Sequence, residues 1–360
     1  MVSQSISAVP YGSWPSPISA ELVAAGGVGL NGPAVHGPQI WWSELRPAEG
    51  ARVVLVSRTA GGPPVDRIDA PFSARTRVHE YGGGAWWLGA DCVYFTNWSD
   101  QRLYRLATSP SGNGEAGRES EAGRESGADG DATEPQPITA EPAVAAGWRY
   151  ADGHEHPDGQ WLVCVREDHH GIGTGDKSEA SNEIVGISLD DDGEGPVVLV
   201  SGPDFVSTPR FSPDGRWLSW VQWDHPNMPW DSTALCAAPV FANMRLGNVQ
   251  VVAGCGADGA DPADGTESIH GADWTVDGRL VFSSDRNAYW NLYSWSPGRT
   301  DTAAITELTG AEIGSPPWVF GIKRWTELDD GRMVVAITTD AVDSLAVLEA
   351  DAGGAAPAKP

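Results

Sequence analysis

The chain has no apolar run long enough to cross a bilayer as a helix, which takes about 18 or more consecutive apolar residues. Its start, MVSQSISAVPYGSWPSP, has neither the basic nor the apolar region of a secretory leader. Cysteine is scarce. Cys92, Cys164, Cys236 and Cys255 form no C-x-x-C pair, and three of them sit in apolar, strand-like runs such as DCVYF and WLVCV. Buried free thiols in a reducing compartment are the expectation, not disulfides or zinc ligands. Together these absences predict a cytoplasmic protein. Positive charge is also short: Lys+Arg number 23 against 49 Asp+Glu, for a formal charge of −26. Phosphate binding depends on Lys and Arg, so neither nucleic acid nor an anionic membrane is an expected partner. No segment keeps a convincing 3.6-residue apolar period. There is no G-x-S-x-G elbow, Walker loop, dinucleotide fingerprint or H-E-x-x-H helix. The chain therefore offers no catalytic residue, no metal site and no cofactor site by motif.

What is abundant is turn and ring chemistry, with Gly 44, Pro 27 and Trp 17. The chain also repeats itself. HEHPDGQWLVCVRED (His154 to Asp168), PRFSPDGRWLSWVQWD (Pro209 to Asp224), ADWTVDGRLVFSSDR (Ala272 to Arg286) and WTELDDGRMVVAITTD (Trp325 to Asp340) share one plan. An approach segment reaches Asp-Gly, and an alternating apolar strand follows. Gly takes positive φ without a clash and Asp tolerates it, so the chain reverses there in a hairpin. Two looser copies, AVHGPQIWWSELRP and GAWWLGADCVYFTNW, come first. The later copies recur roughly every 50 to 70 residues, a spacing suited to a four-stranded propeller blade with its loops. The predicted fold is all-β: a β-propeller of four-stranded antiparallel blades, about six in number and possibly incomplete, forming one domain over residues 1–360. One blade cannot cover both of its faces, so blades must stack.

Residues 109–142 break the pattern. They are polar, acidic and Gly-rich, with EAGRES twice in tandem, and read as a disordered insert between the outer strands of one blade. The tail from 352 to 360 reads as a linker.

Two stretches carry more chemistry than a turn needs. RVHEYGGGAWW (Arg77 to Trp87) runs charged and titratable side chains into three glycines and two tryptophans. WDHPNMPWD (Trp223 to Asp231) follows a strong strand, and its two prolines forbid continuing the ladder. Its Trp223, Met228 and Trp230 make it either a loop packed on a neighbouring blade or one that presents Trp230, His225 and Asp231 to a ligand. The histidine pairs in GHEH and EDHHG suggest metal ligands, but they show no third ligand or closed spacing, and solvated loop histidines are the expected reading.

GSWPSPISAE, WWSELRPAEGAR, RTRVHEYGGGAWW, GPDFVSTPRFSPDGRWLSWVQWDHPNMPWD and AEIGSPPWVFG, in this order, resemble the N-terminal propeller of the prolyl oligopeptidase family of serine peptidases. Bacterial members called dipeptidyl aminopeptidase or acylaminoacyl peptidase are the nearest in likeness. In that family a propeller of seven or so blades caps a C-terminal α/β-hydrolase domain with a Ser-Asp-His triad. This sequence stops in or just after a sixth repeat. The resemblance thus implies a substrate-gating propeller that acts on short peptides with a hydrolase domain outside this sequence. It also implies a role for Glu80, flanked by His79 and Tyr81, in holding a substrate's free α-ammonium group. Alternatively Glu80 pairs with Arg75, Arg77 or another propeller arginine and ties blades together. Glu312 is the second-choice carboxylate, with Trp318 as an apolar wall. A free-standing Tol-type propeller serving as an interaction platform is the competing reading.

Overall fold

The computed structural model describes residues 10, 12–13, 16–24, 26–108, 134–172, 178–190, 195–255 and 267–349. The repeats fold as six antiparallel sheets. The first is β1 (Gly29–His36), β2 (Gln39–Arg46), β3 (Arg52–Thr59) and β4 (Val65–Asp66). The second is β5 (Trp86–Leu88), β6 (Cys92–Thr96), β7 (Leu103–Ala107) and β8 (Gln136–Pro137). The third is β9 (Trp148–Glu155), β10 (Trp161–Asp168), β11 (Ser181–Ser188) and β12 (Val197–Val200). The fourth is β13 (Phe205–Phe211), β14 (Trp217–Trp223), β15 (Ala234–Pro239) and β16 (Gln250–Gly254). The fifth is β17 (Ile269–Trp274), β18 (Leu280–Ser284), β19 (Asn291–Trp295) and β20 (Ala303–Ala304). The sixth has three strands, β21 (Trp325–Glu327), β22 (Met333–Thr339) and β23 (Val342–Leu348). Each Asp-Gly copy is the hairpin joining the first two strands of its sheet. The fold is a six-blade propeller. A five-residue helix, Ala20–Ala24, precedes the first blade.

The chain divides into two compact units, Met1–Pro71 and Phe72–Pro360. The first unit is blade one. Trp41, Val54, Leu55 and Val56 are fully buried there, and Arg46 reaches both carboxylate oxygens of Asp66 at 2.6 and 2.7 Å. The second unit holds blades two to six, and its cores lie between blades. Tyr94 packs with Tyr150 and Leu162 between blades two and three. Val163, Phe211 and Trp220 fill the gap between three and four. Val221, Leu235 and Phe282 fill the next, and Val281, Trp325 and Val335 the one after. The strand WLSWVQW shows why. Leu218 and Trp220 face blade three and Val221 faces blade five, so the alternation predicted from sequence does not separate a wet face from a dry one. Both faces are buried.

The first strands of blades two to five lie side by side. At the same place in each approach the backbone turns left-handed: Gly84 (φ 56°), Asp152 (53°), Thr208 (55°) and Gly271 (60°). In blades three, four and five the hairpin register slips there, as at a β-bulge. The bulges interlock. Asp152 donates its N–H to Gly84 O at 2.7 Å, and the Asp152 carboxylate accepts the Thr208 N–H at 2.7 Å. Thr208 is β-branched and rare at positive φ, so this bond holds it in a strained shape. Ion pairs continue the chain, with Arg210 on the buried Asp152 at 2.8 Å and, partly exposed, Lys323 on Asp273 at 2.6 Å.

Two expectations need correction. The insert does not extend to 142. Residues 109–133 lie outside the described residues, but Gln136–Pro137 is the outer strand of blade two, paired with Tyr104 and Arg105. Thr139 accepts the Leu103 N–H on its hydroxyl and the Arg102 guanidinium on its carbonyl. The histidines of GHEH are not solvated either. His154 Nδ1 accepts the Phe211 N–H at 3.1 Å, and His156 Nε2 donates to Gly215 O at 3.1 Å, tying blade three to blade four. His169 and His170 bond Glu167 and Asp168. The tail from 352 to 360 lies outside the described residues.

Candidate functional site

The HEYGGG stretch is a tight loop ahead of β5. His79 and Glu80 both have positive φ, at 52° and 63°, and the three glycines follow at 80°, 99° and 56°. Gly83 forms a parallel bridge with Phe320. A Cβ on Gly83 would stand 2.6 Å from Phe320 N and 2.7 Å from Val319 Cβ, so only glycine lets these segments touch. The loop before blade two is thereby pressed onto the loop before blade six.

A cavity of about 450 Å³ opens beside this junction. It gathers His79, Glu80, Tyr81, His225, Trp230 and Trp318 from loops that are distant in sequence. Two other predicted residues stay out of it. The Asp231 carboxylate accepts the Met228 N–H at 2.9 Å, closing the turn of its own loop. Glu312 bridges to Thr338 through backbone bonds of 2.9 and 3.0 Å, as an added ladder rung beside blade six.

Glu80 Oε1 accepts from Arg149 Nη1 at 2.7 Å. Its partner is thus another propeller arginine and not Arg75 or Arg77, which stack on Trp98 at 4.2 and 4.3 Å. The Arg149 hydrogen bond holds the Glu80 carboxyl below its usual range, against a small opposing effect of burial. The Glu80 carboxylate stands with 74 % of its side chain exposed, on the cavity rim. His79 is the buried member. Burial pushes its imidazole pKa down although Glu167 opposes this, which favours the neutral ring, and its buried Nε2 has no hydrogen-bond partner among the described residues. The ring lies 4.8 Å from the Phe320 ring and 5.3 Å from Phe205.

Sequence reading missed Glu167, whose side chain is only 6 % exposed. Its Oε1 accepts the His79 N–H at 2.7 Å and its Oε2 meets His169 Nε2 at 2.9 Å, so it pins the HEY turn. A signal was present: Arg166 and Glu167 are adjacent charges closing an otherwise apolar strand. Asp204, which bonds His225 at 2.9 Å, was also missed, as were Glu179, Asn182 and Phe205, whose ring stacks on Trp223. Four carboxylates line the cavity, Glu80, Glu167, Glu179 and Asp204; no Lys or Arg lines it among the described residues, but Arg149 pairs with Glu80 at 2.7 Å and lies 3.7 Å from Glu167. A site of this kind suits a small cation that also carries apolar surface. Among the described residues, no group of three or more His, Cys, Asp or Glu is placed to hold a metal, and no helix is long and apolar enough to cross a membrane.

Antiparallel blades carrying an acidic, aromatic cavity place the chain in the class of β-propellers. The chain is similar to a puromycin-hydrolyzing peptidase of Mycobacterium tuberculosis, at 34 % identity and a TM-score of 0.76, over 95 % of this chain and 48 % of that one. It is similar to a puromycin hydrolase at 31 % identity and a TM-score of 0.76, over 97 % of this chain and 49 % of that one. A prolyl endopeptidase at 13 % identity and a TM-score of 0.57 shares the fold. The chain spans about half the length of the first two structures. No family model matches it, and no curated protein matches it. It belongs with the N-terminal propeller regions of the prolyl oligopeptidase family.

Proposed function

We propose that this chain is the substrate-selecting propeller of a cytoplasmic serine peptidase acting on short peptides, of dipeptidyl aminopeptidase or acylaminoacyl peptidase type. An adjoining α/β-hydrolase domain supplies the nucleophile. The propeller cavity receives the amino-terminal end of the substrate, and Glu80 holds the α-ammonium group. The observation that carries this reading is a cavity lined by four carboxylates and, among the described residues, by no Lys or Arg, with Arg149 paired to Glu80 and Glu167 behind it. The likeness to two puromycin hydrolases supports work on amide bonds.

Arg149 leaves the outer edge of the Glu80 carboxylate free for a second cation, because the side chain is mostly exposed. Exposed ion pairs are worth about 0.2–1 kcal/mol, so Glu80→Gln should weaken a free-amine peptide amide by roughly 1.4- to fivefold. The N-acetylated amide should bind the variant and the wild type alike. Calorimetric titration of both ligands tests this. Equal losses on both ligands would leave Glu80 as a blade-to-blade tie.

A further inference from the structure

Arg75 and Arg77 lie on the segment that leads into blade two, outside the cavity lining. Their guanidinium carbons stand 4.2 and 4.3 Å from the centre of one indole, that of Trp98 in the turn between β6 and β7. Arg75 is exposed, and Arg77 and Trp98 are half-buried. Among the described residues, neither guanidinium donates a hydrogen bond or meets a carboxylate at ion-pair distance. That is unusual in a chain with 49 Asp+Glu against 23 Lys+Arg. Arg149, Arg166, Arg210 and Arg324 each reach a carboxylate at 2.8 Å or less. Arg77 Nε is buried with no partner, so a donor has been taken from water without gaining an acceptor. We infer that Arg75, Arg77 and Trp98 form a binding site for a peptide carboxylate, separate from the cavity that Glu80 rims.

The ligand class follows from the donors. Stacking on the indole orients both guanidinium planes. Each fork presents paired N–H groups at the spacing of the two oxygens of a carboxylate. Two like charges held against one ring repel each other, and an anion bound to both removes that repulsion. A phosphate fits the same fork, but it brings a second negative charge to a chain of net charge −26, so the singly charged carboxylate is favoured. The Arg77 carbonyl accepts from Arg149 Nη1 at 3.0 Å, and the same nitrogen donates to Glu80 at 2.7 Å, so the site stands one arginine away from the cavity rim. It needs no ammonium group on its ligand and is therefore independent of amine capture by Glu80.

The purified chain is titrated by calorimetry with N-acetyl-alanyl-glutamate and with N-acetyl-alanyl-glutaminamide, which has no carboxylate. Neither ligand carries an amine. The acid should bind roughly tenfold or more tightly than the amide at low salt, and the difference should shrink as salt is added. Arg75→Gln and Arg77→Gln should each weaken the acid by roughly fivefold or more and leave the amide unchanged. Arg75→Lys keeps the charge without the fork and should also bind the acid less tightly than wild type. Arg77→Gln uncovers part of Trp98, so if that variant melts early, Arg75→Gln, at the exposed position, decides the case. Equal binding of acid and amide, or no binding of either, overturns the site. So does binding of the acid that Arg75→Gln leaves at wild-type strength. Displacement of the bound acid by inorganic phosphate at lower concentration than by acetate overturns the assignment to a carboxylate.

Discussion

Asp152 offers the sharpest test of how the blades are joined. Its side chain is 2 % exposed, and its two oxygens serve two neighbours, Arg210 Nη2 at 2.8 Å and Thr208 N at 2.7 Å. Asp152→Asn keeps the shape, tolerates the positive φ of 53°, and leaves an oxygen to accept the Thr208 N–H. What it removes is the negative charge facing Arg210. Breaking a buried ion pair from one side costs about 3–5 kcal/mol, because the other charge is left uncompensated. Arg210 keeps an electrostatic attraction to Asp273, which favours the low end. At about 2–4 °C per kcal/mol for a domain of 150–250 residues, a loss of about 3 kcal/mol lowers Tm by roughly 6–12 °C. Circular dichroism melts of the purified chain measure it. Asp152→Asn combined with Arg210→Gln should lose less than the sum of the two single variants, since the stranded cation is gone. A Tm within about 2 °C of wild type, or strict additivity in the double variant, would refute the buried-pair account.

The other predictions are independent of that pair. Burial pushes the imidazoles of His154 and His270 down to about 4, whereas an unfolded histidine takes up its proton near 6.5. The unfolded chain therefore binds more protons between these values, so stability should be full above about pH 6.5 and fall as pH drops toward 4. A melting profile flat from pH 7 to 4.5, or one that His154→Gln and His270→Gln do not flatten, counts against it. Asp273 is held at about 2 by Lys323 and Arg210, which together outweigh the opposing effect of burial, so a further loss should appear between about pH 4 and 2. Gly83→Ala and Gly278→Ala start from φ values of 99° and 83°, but only the first puts a Cβ against backbone, 2.6 Å from Phe320 N. Thermal unfolding should show Gly83→Ala losing far more than Gly278→Ala, and similar losses would mean that the Gly83–Phe320 contact yields easily. Replacing residues 109–133 by a short Gly-Ser link should preserve soluble expression, since loop closure changes by only about 0.6 kcal/mol per doubling of length. Extending the deletion to 142 removes β8 and Thr139 and should destabilise blade two, and equal melting temperatures for the two deletions would refute that difference.

The sequence by itself determined the blades. Asp-Gly reversals and period-two strands are local features, so each hairpin could be read where it stands, from WLVCV in β10 to MVVAITT in β22. It marked the HEYGGG loop as well, through three successive glycines, although the contact that needs Gly83 belongs to the tertiary structure. The same local logic could not say what holds Asp231 and Glu312: the Asp231 carboxylate closes a turn with Met228, and the Glu312 backbone adds a ladder rung to Thr338, 26 residues on. Only the tertiary structure decided which loops meet. Nothing local relates Glu80 to Trp318, or His79 to the Glu167 that pins it, because those contacts arise from stacking separate blades side by side. The same stacking buries both faces of strands such as WLSWVQW and turns histidines that read as solvated into ties between blades. Charge and residue type were written along the chain, but burial, which favours a neutral His79 and leaves Glu80 an exposed anion, is a property of the assembled blades alone.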